Sequence, residues 1–113
     1  MMKNYSIESV EEMAGGDQDF VKVVVQTFLE ESPPDLAAMN EAVEGGNAGQ
    51  AYQYAHKMKP NLEMFGLGLM PQIRIIEEWS KSGKPHEEVV EASRKITEKY
   101  HLAEADLKRD FQL

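Results

Sequence analysis

The 113-residue sequence has no cysteine, which excludes a disulfide scaffold, a thiolate zinc site and a cysteine nucleophile. Base is scarce in one half: residues 1–50 hold only Lys3 and Lys22 against ten acids, while residues 51–113 hold ten of each. The resulting net charge of −8 argues against nucleic acid or an anionic membrane surface as partner. No apolar run approaches the ~20 residues that a spanning helix needs. The start, Met1-Met2-Lys3-Asn4-Tyr5-Ser6, carries no apolar core of a signal peptide, so none is expected. There is no Walker-type phosphate loop and no glycine-rich dinucleotide fingerprint, so neither ATP binding nor self-phosphorylation is expected. The expectation is a cytoplasmic monomer.

What is present is ordinary globular composition, 42% hydrophobic and 28% charged, in a length that suits one domain over residues 1–113. Gly15-Gly16, Ser32-Pro33-Pro34, Gly45-Gly46, Gly66, Gly68, Pro71 and Gly83-Lys84-Pro85 cut the chain into short segments, none of them a linker. Between these breaks the period is helical. Ser6 is placed to cap a short helix over 7–14, with Ile7, Val10 and Met13 inward and Gly15-Gly16 as its stop. Asp17 caps a second helix to about Glu31, with Phe20, Val21, Val24, Val25 and Phe28 on one side. Ser32, Pro33 and Asp35 read as the cap, first-turn proline and capping box of a third segment that buries Leu36, Met39 and Val43. Two helices or one kinked helix over 17–44 both fit.

A helix from about Asn47 repeats Ala51, Ala55, Met58, Leu62, Phe65 and Leu69 at alternating four- and three-residue spacing, which makes a bundle seam. A helix near 71–80 carries Ile73, Ile76 and Trp79. The last, over 85–111, repeats Val89, Ser93, Ile96, Tyr100, Ala103 and Leu107, with Glu91/Lys95 and Glu104/Lys108 as i,i+4 pairs. No segment alternates with period two. The expected fold is all-α, an up-and-down four-helix bundle with additional short helices.

On a helical wheel the seam of the Asn47 helix lies opposite His56, which should therefore face water. The same outer face carries Gln53, Pro60, Met64 and Leu67, with Lys57, Lys59 and Glu63 at its edges. A neutral, partly apolar surface with a charged rim suits docking. His86 and His101 have no such surroundings and read as surface residues. The paired carboxylates Glu11/Glu12, Glu30/Glu31, Glu77/Glu78 and Glu87/Glu88 leave a metal-using bundle enzyme as a distant alternative.

The stretch Ala55-His56-Lys57-Met58-Lys59-Pro60-Asn61-Leu62-Glu63-Met64-Phe65-Gly66-Leu67 resembles the histidine-phosphotransfer (HPt) domain motif. His56, Lys59 and Gly66 match its histidine, its lysine three residues on and its glycine ten residues on. Gly15-Gly16-Asp17, Phe20 and Thr27-Phe28-Leu29-Glu30-Glu31-Ser32-Pro33 also sit where the family has comparable stretches, so the likeness covers about residues 5–80. The family most often has glycine and then a small hydroxyl residue after the lysine; here they are Pro60 and Asn61. Pro60 removes the helical partner of the His56 carbonyl and predicts a kink beside the histidine.

The resemblance implies a phosphocarrier without autokinase activity, in which His56 relays a phosphoryl group between aspartates of receiver domains. The donor would belong to a hybrid histidine kinase and the acceptor to a response regulator. Lys59 would stabilise the phosphoryl oxygens, and Gly66 would allow close packing or end the helix. Gln53, Lys57, Met64 and Leu67 would serve docking. Mg²⁺ would come from the receiver, so this chain would need no cofactor of its own and bind no metal. The alternative is a helical adaptor that docks receiver domains through the same face without carrying phosphate.

Overall fold

The computed structural model describes residues 4–113; Met1, Met2 and Lys3, and with them part of the start read above for a signal peptide, lie outside the described residues. The regular structure of the described residues is all helical, without a strand: α1 Glu8–Ala14, α2 Gln18–Glu44, α3 Ala48–Met64, α4 Met70–Ser82 and α5 His86–Asp110. No helix among them is long and apolar enough to cross a membrane.

The two short breaks at the start behave as glycine and aspartate dictate. Gly15 takes the left-handed conformation that ends α1, and the Asp17 carboxylate accepts from the backbone N–H groups of Asp19 and Phe20 at the head of α2. Ser6 does not cap α1. Ile7 occupies the cap position, and Met13, read as inward, is 55% exposed. Phe20 is likewise on the outside, 42% exposed, while Val21, Val25 and Phe28 are buried.

The second and third expected segments are one helix. α2 runs through Pro33 and Pro34 without a break, and Ser32, read as an N-cap, is buried mid-helix against the Tyr100 hydroxyl of α5. Asp35 completes no capping box; its carboxylate accepts from the Lys57 ammonium at 3.1 Å. The physical reason lies in the seam. Phe28, Ser32, Leu36, Met39 and Val43 follow one another at four, four, three and four residues, so the buried stripe keeps its phase across the prolines. The apolar burial along that stripe, at roughly 25 cal/mol per Å², outweighs the N–H groups that two prolines cannot supply.

The α3 seam is buried as its spacing requires, from Ala51 to Leu69, and so is the α5 seam from Val89 to Leu107. α2 packs on α1, α3 and α5, and α4 packs on α3 and α5. At their meeting point the Phe28 and Phe65 rings stack at 4.1 Å, with Tyr100 tilted against Phe28 at 5.6 Å. Burial, then the Glu104 carboxylate, pushes the Tyr100 phenol well above its ordinary range. Of the two surface pairs read on α5, Glu104–Lys108 forms at 3.9 Å, whereas Glu91 is taken by Arg94 rather than Lys95.

The segment before α1 is a strap. The Asn4 backbone N–H and side chain both donate to Asp106, Tyr5 donates to Asp110 at 2.7 Å, and the Ser6 N–H donates to the Phe65 carbonyl. Gly66 both ends α3 and admits this strap. Its φ is +62°, and a Cβ there would meet the Ser6 Cβ at 2.8 Å.

Two expectations follow. Gly66→Ala incurs the left-handed backbone cost of about 1–2 kcal/mol and displaces the strap as well. Gly68→Ala, at φ +70° with open space around it, incurs the backbone cost alone. Urea unfolding of both should therefore show the larger loss at Gly66. The second concerns pH. Hydrogen bonds from Asn4, then the Arg109 charge, hold the Asp106 carboxyl below the ordinary carboxylate range. Its contribution is complete above that ordinary range and is lost as pH falls through the lower folded value. An NMR titration of the Asp106 side chain should show the depressed midpoint, and Asn4→Ala should raise it.

Candidate functional site

α3 presents His56 because burying Ala51, Ala55, Met58 and Leu62 turns the opposite face outward. The imidazole side chain is 63% exposed. It does not stand alone. His56 Nδ1 lies 3.3 Å from Oε2 of Glu77 on α4, and the Lys59 ammonium lies 3.7 Å from Oε1 of the same carboxylate. Glu77 is itself mostly covered, at 15% exposure. One turn back on α3, the Tyr52 ring lies nearly parallel to the imidazole, 6° apart with centroids at 5.6 Å. Lys81, one turn on from Glu77, places its ammonium 5.2 Å from the centre of the Tyr52 ring. Since 56 meets 77 while 52 meets 81, α3 and α4 run in opposite directions here.

The chemistry of this arrangement is specific. An ionised carboxylate only accepts, so a neutral His56 bonded to Glu77 carries its proton on Nδ1. Nε2 is then left with the lone pair, on a ring open to water. The face thus offers a nucleophilic nitrogen, a carboxylate that fixes the tautomer and would balance positive charge on the ring, and a lysine within one turn. Among the described residues no group of three or more histidines, aspartates or glutamates is arranged to hold a metal ion.

The other expected site residues divide. Gln53 and Pro60 are exposed on the His56 side, and α3 runs on through Pro60 to Met64. Lys57 is exposed but committed, in its ion pair with Asp35 of α2. Leu67 is a correction: read as part of the outer docking face, it is 3% exposed and belongs to the core. The helical wheel that put it outside does not apply, because α3 has ended and Gly66 reverses the chain. Met64 is corrected in part. It is half-buried and packs with Val23, Val24, Thr27 and Phe28 around a cavity between α2 and α3, on the flank away from Glu77. His86 and His101 are exposed as expected; His86 also bonds the Val43 carbonyl at 2.9 Å.

Glu77, Tyr52 and Lys81 were not singled out as site residues from sequence. The i,i+4 spacings Tyr52/His56 and Glu77/Lys81 were available signals, but only the pairing of α3 with α4 makes them one cluster. If Glu77 selects the tautomer because its carboxylate only accepts, Glu77→Ala should redistribute the proton between the two ring nitrogens, and so should Glu77→Gln, whose amide can donate to a bare Nδ1 as well as accept. Nitrogen-15 chemical shifts of His56 read this directly, and an unchanged pattern in Glu77→Ala would remove Glu77 from the site.

Compared with family models, with curated proteins and with solved structures, the chain has no match.

Proposed function

We propose that this chain is a phosphorelay intermediate of the HPt kind, a carrier that takes a phosphoryl group from an aspartate of one receiver domain and gives it to an aspartate of another. The observation that carries the reading is an exposed mid-helix histidine whose Nδ1 is held by a carboxylate, with Lys59 sharing that carboxylate. In fold terms the proposal takes α2 to α5 as an up-and-down four-helix bundle, with α1 as the additional short helix.

The step uses groups already in place. The Nε2 lone pair attacks phosphorus of the receiver's phosphoaspartate. The P–Nε2 bond forms as the P–O bond to the aspartate breaks, and the electron pair leaves on that carboxylate. The ring keeps its Nδ1 proton and becomes cationic, facing Glu77. Lys59 moves from Glu77 towards the new phosphoryl oxygens. Such transfers depend mainly on position and charge stabilisation. The receiver would supply Mg²⁺ and the acidic pocket; the carrier has no step of its own that needs a cofactor. The partners would be the receivers of a hybrid histidine kinase and of a response regulator. Gln53, Pro60 and the rim around His56 would form the contact surface, in place of Leu67.

One observation favours the second reading, an adaptor that docks receivers without carrying phosphate. Lys59 is already engaged by Glu77, whose charge would also stand beside an incoming phosphoryl dianion. The two readings separate in one assay. With a phosphorylated receiver, the carrier reading requires an acid-labile, base-stable label on the wild-type chain and none on His56→Gln, with helical content unchanged. Lys59→Ala should lower transfer about tenfold at unchanged receiver affinity, the effect of losing one charge-assisted contact. Receiver binding with no label on the wild-type chain would establish the adaptor instead.

A further inference from the structure

Three lysines surround His56, and two of them are committed. Lys57 is paired with Asp35 and Lys59 with Glu77. Lys81 has no carboxylate within ion-pair distance among the described residues; it rests over the face of Tyr52. That face belongs to the ring that lies parallel to the imidazole. The position follows from two helical repeats running in opposite directions: Tyr52 and His56 are one turn apart on α3, Glu77 and Lys81 one turn apart on α4. Lys81 also sits in the last turn of α4, where the helix dipole favours a cation, and its stem is exposed and free to turn.

Charge makes this lysine relevant. A phosphoryl group on Nε2 adds nearly two negative charges to a cluster in which Glu77 already supplies one. The cationic ring and Lys59 offset part of that. A second ammonium, 5.2 Å from the centre of the ring that lies 5.6 Å from the imidazole and held only by a cation–π contact at an exposed site, can exchange that weak contact for a charge-assisted bond to the phosphoryl oxygens. We propose that Lys81 is a second phosphoryl-binding cation of the His56 site, resting on Tyr52 when the histidine is free and turning onto the phosphoryl oxygens when it is loaded. The proposal rests on the reading of His56 as the phosphoryl carrier.

The test loads the whole chain chemically, so that receiver docking does not enter. Phosphoramidate donates its phosphoryl group to Nε2: the P–Nε2 bond forms, the P–N bond to ammonia breaks, and ammonia leaves with the electron pair. Phosphorus-31 NMR at fixed phosphoramidate and ammonia gives the equilibrium ratio of loaded to free His56. In Lys81→Ala that ratio should fall about two- to fivefold, the range of a solvent-exposed ion pair, and Lys81→Arg should restore it. The Lys81 side-chain resonances should shift on loading in the wild-type chain and stay still in His56→Gln. A wild-type ratio in Lys81→Ala, with unmoved Lys81 resonances, overturns the proposal and leaves the carrier reading intact. Absence of label at His56 from both phosphoramidate and a phosphorylated receiver overturns both.

Discussion

Phe28, Phe65 and Tyr100 bring the middle of α2, the end of α3 and the body of α5 to one point, and the orientation of everything else depends on that contact. Phe65 is fully buried and follows the last residue of α3. Once its ring is stacked on Phe28, the rotation of α3 about its own axis is fixed. A helix that buries one stripe must expose the opposite one, so His56 is outward as a consequence of where Phe65 is inward. The same contact explains why α2 cannot break at its prolines. Ser32, immediately before them, lies against Tyr100, and a reset of the helix there would take it out of the cluster.

The electrostatics of the site hang on a single side chain. Glu77 is mostly covered, yet it engages a histidine and a lysine with one oxygen each. A carboxylate in that position does two things that work against each other. It fixes and supports the ring, and it places negative charge near a group that would itself become negative. On the carrier reading other cations must be drawn in, which gives the lysine on Tyr52 its interest.

The seams were readable because burial repeats. Every residue assigned to the α3 and α5 stripes is buried, since a period of three and four persists over several turns and errors in it would show. Continuity of α2 was readable too, in the unbroken phase from Phe28 to Val43, but proline and a serine in cap position are strong local signals that pointed the other way. Phe20 and Met13 failed for a different reason: near an element's end there are too few neighbours to cover an apolar side chain, whatever its period. Leu67 failed because a helical wheel was carried past the end of the helix. The site was half legible. His56 and Lys59 lie on one helix, where spacing defines proximity. Glu77, Tyr52 and Lys81 form a cluster with them only through the packing of α4 on α3, which spacing along one helix does not specify.

The strap that ties Asn4 and Tyr5 to the far end of α5 sets an order of events. Most helix pairs here are neighbours along the chain, and their contacts close short loops. The Asn4–Asp106 and Tyr5–Asp110 bonds span 102 and 105 residues. Such contacts carry the largest chain-closure entropy, and they gain nothing until both ends have a folded surface to meet. The strap is therefore the last thread drawn tight. Because Ser6 is bonded to the Phe65 carbonyl, it tightens on the turn that follows the histidine helix. A pull on the beginning of this chain therefore reaches the far end of α5 first, through Asn4 and Tyr5, and only then the turn that follows the histidine helix, through Ser6.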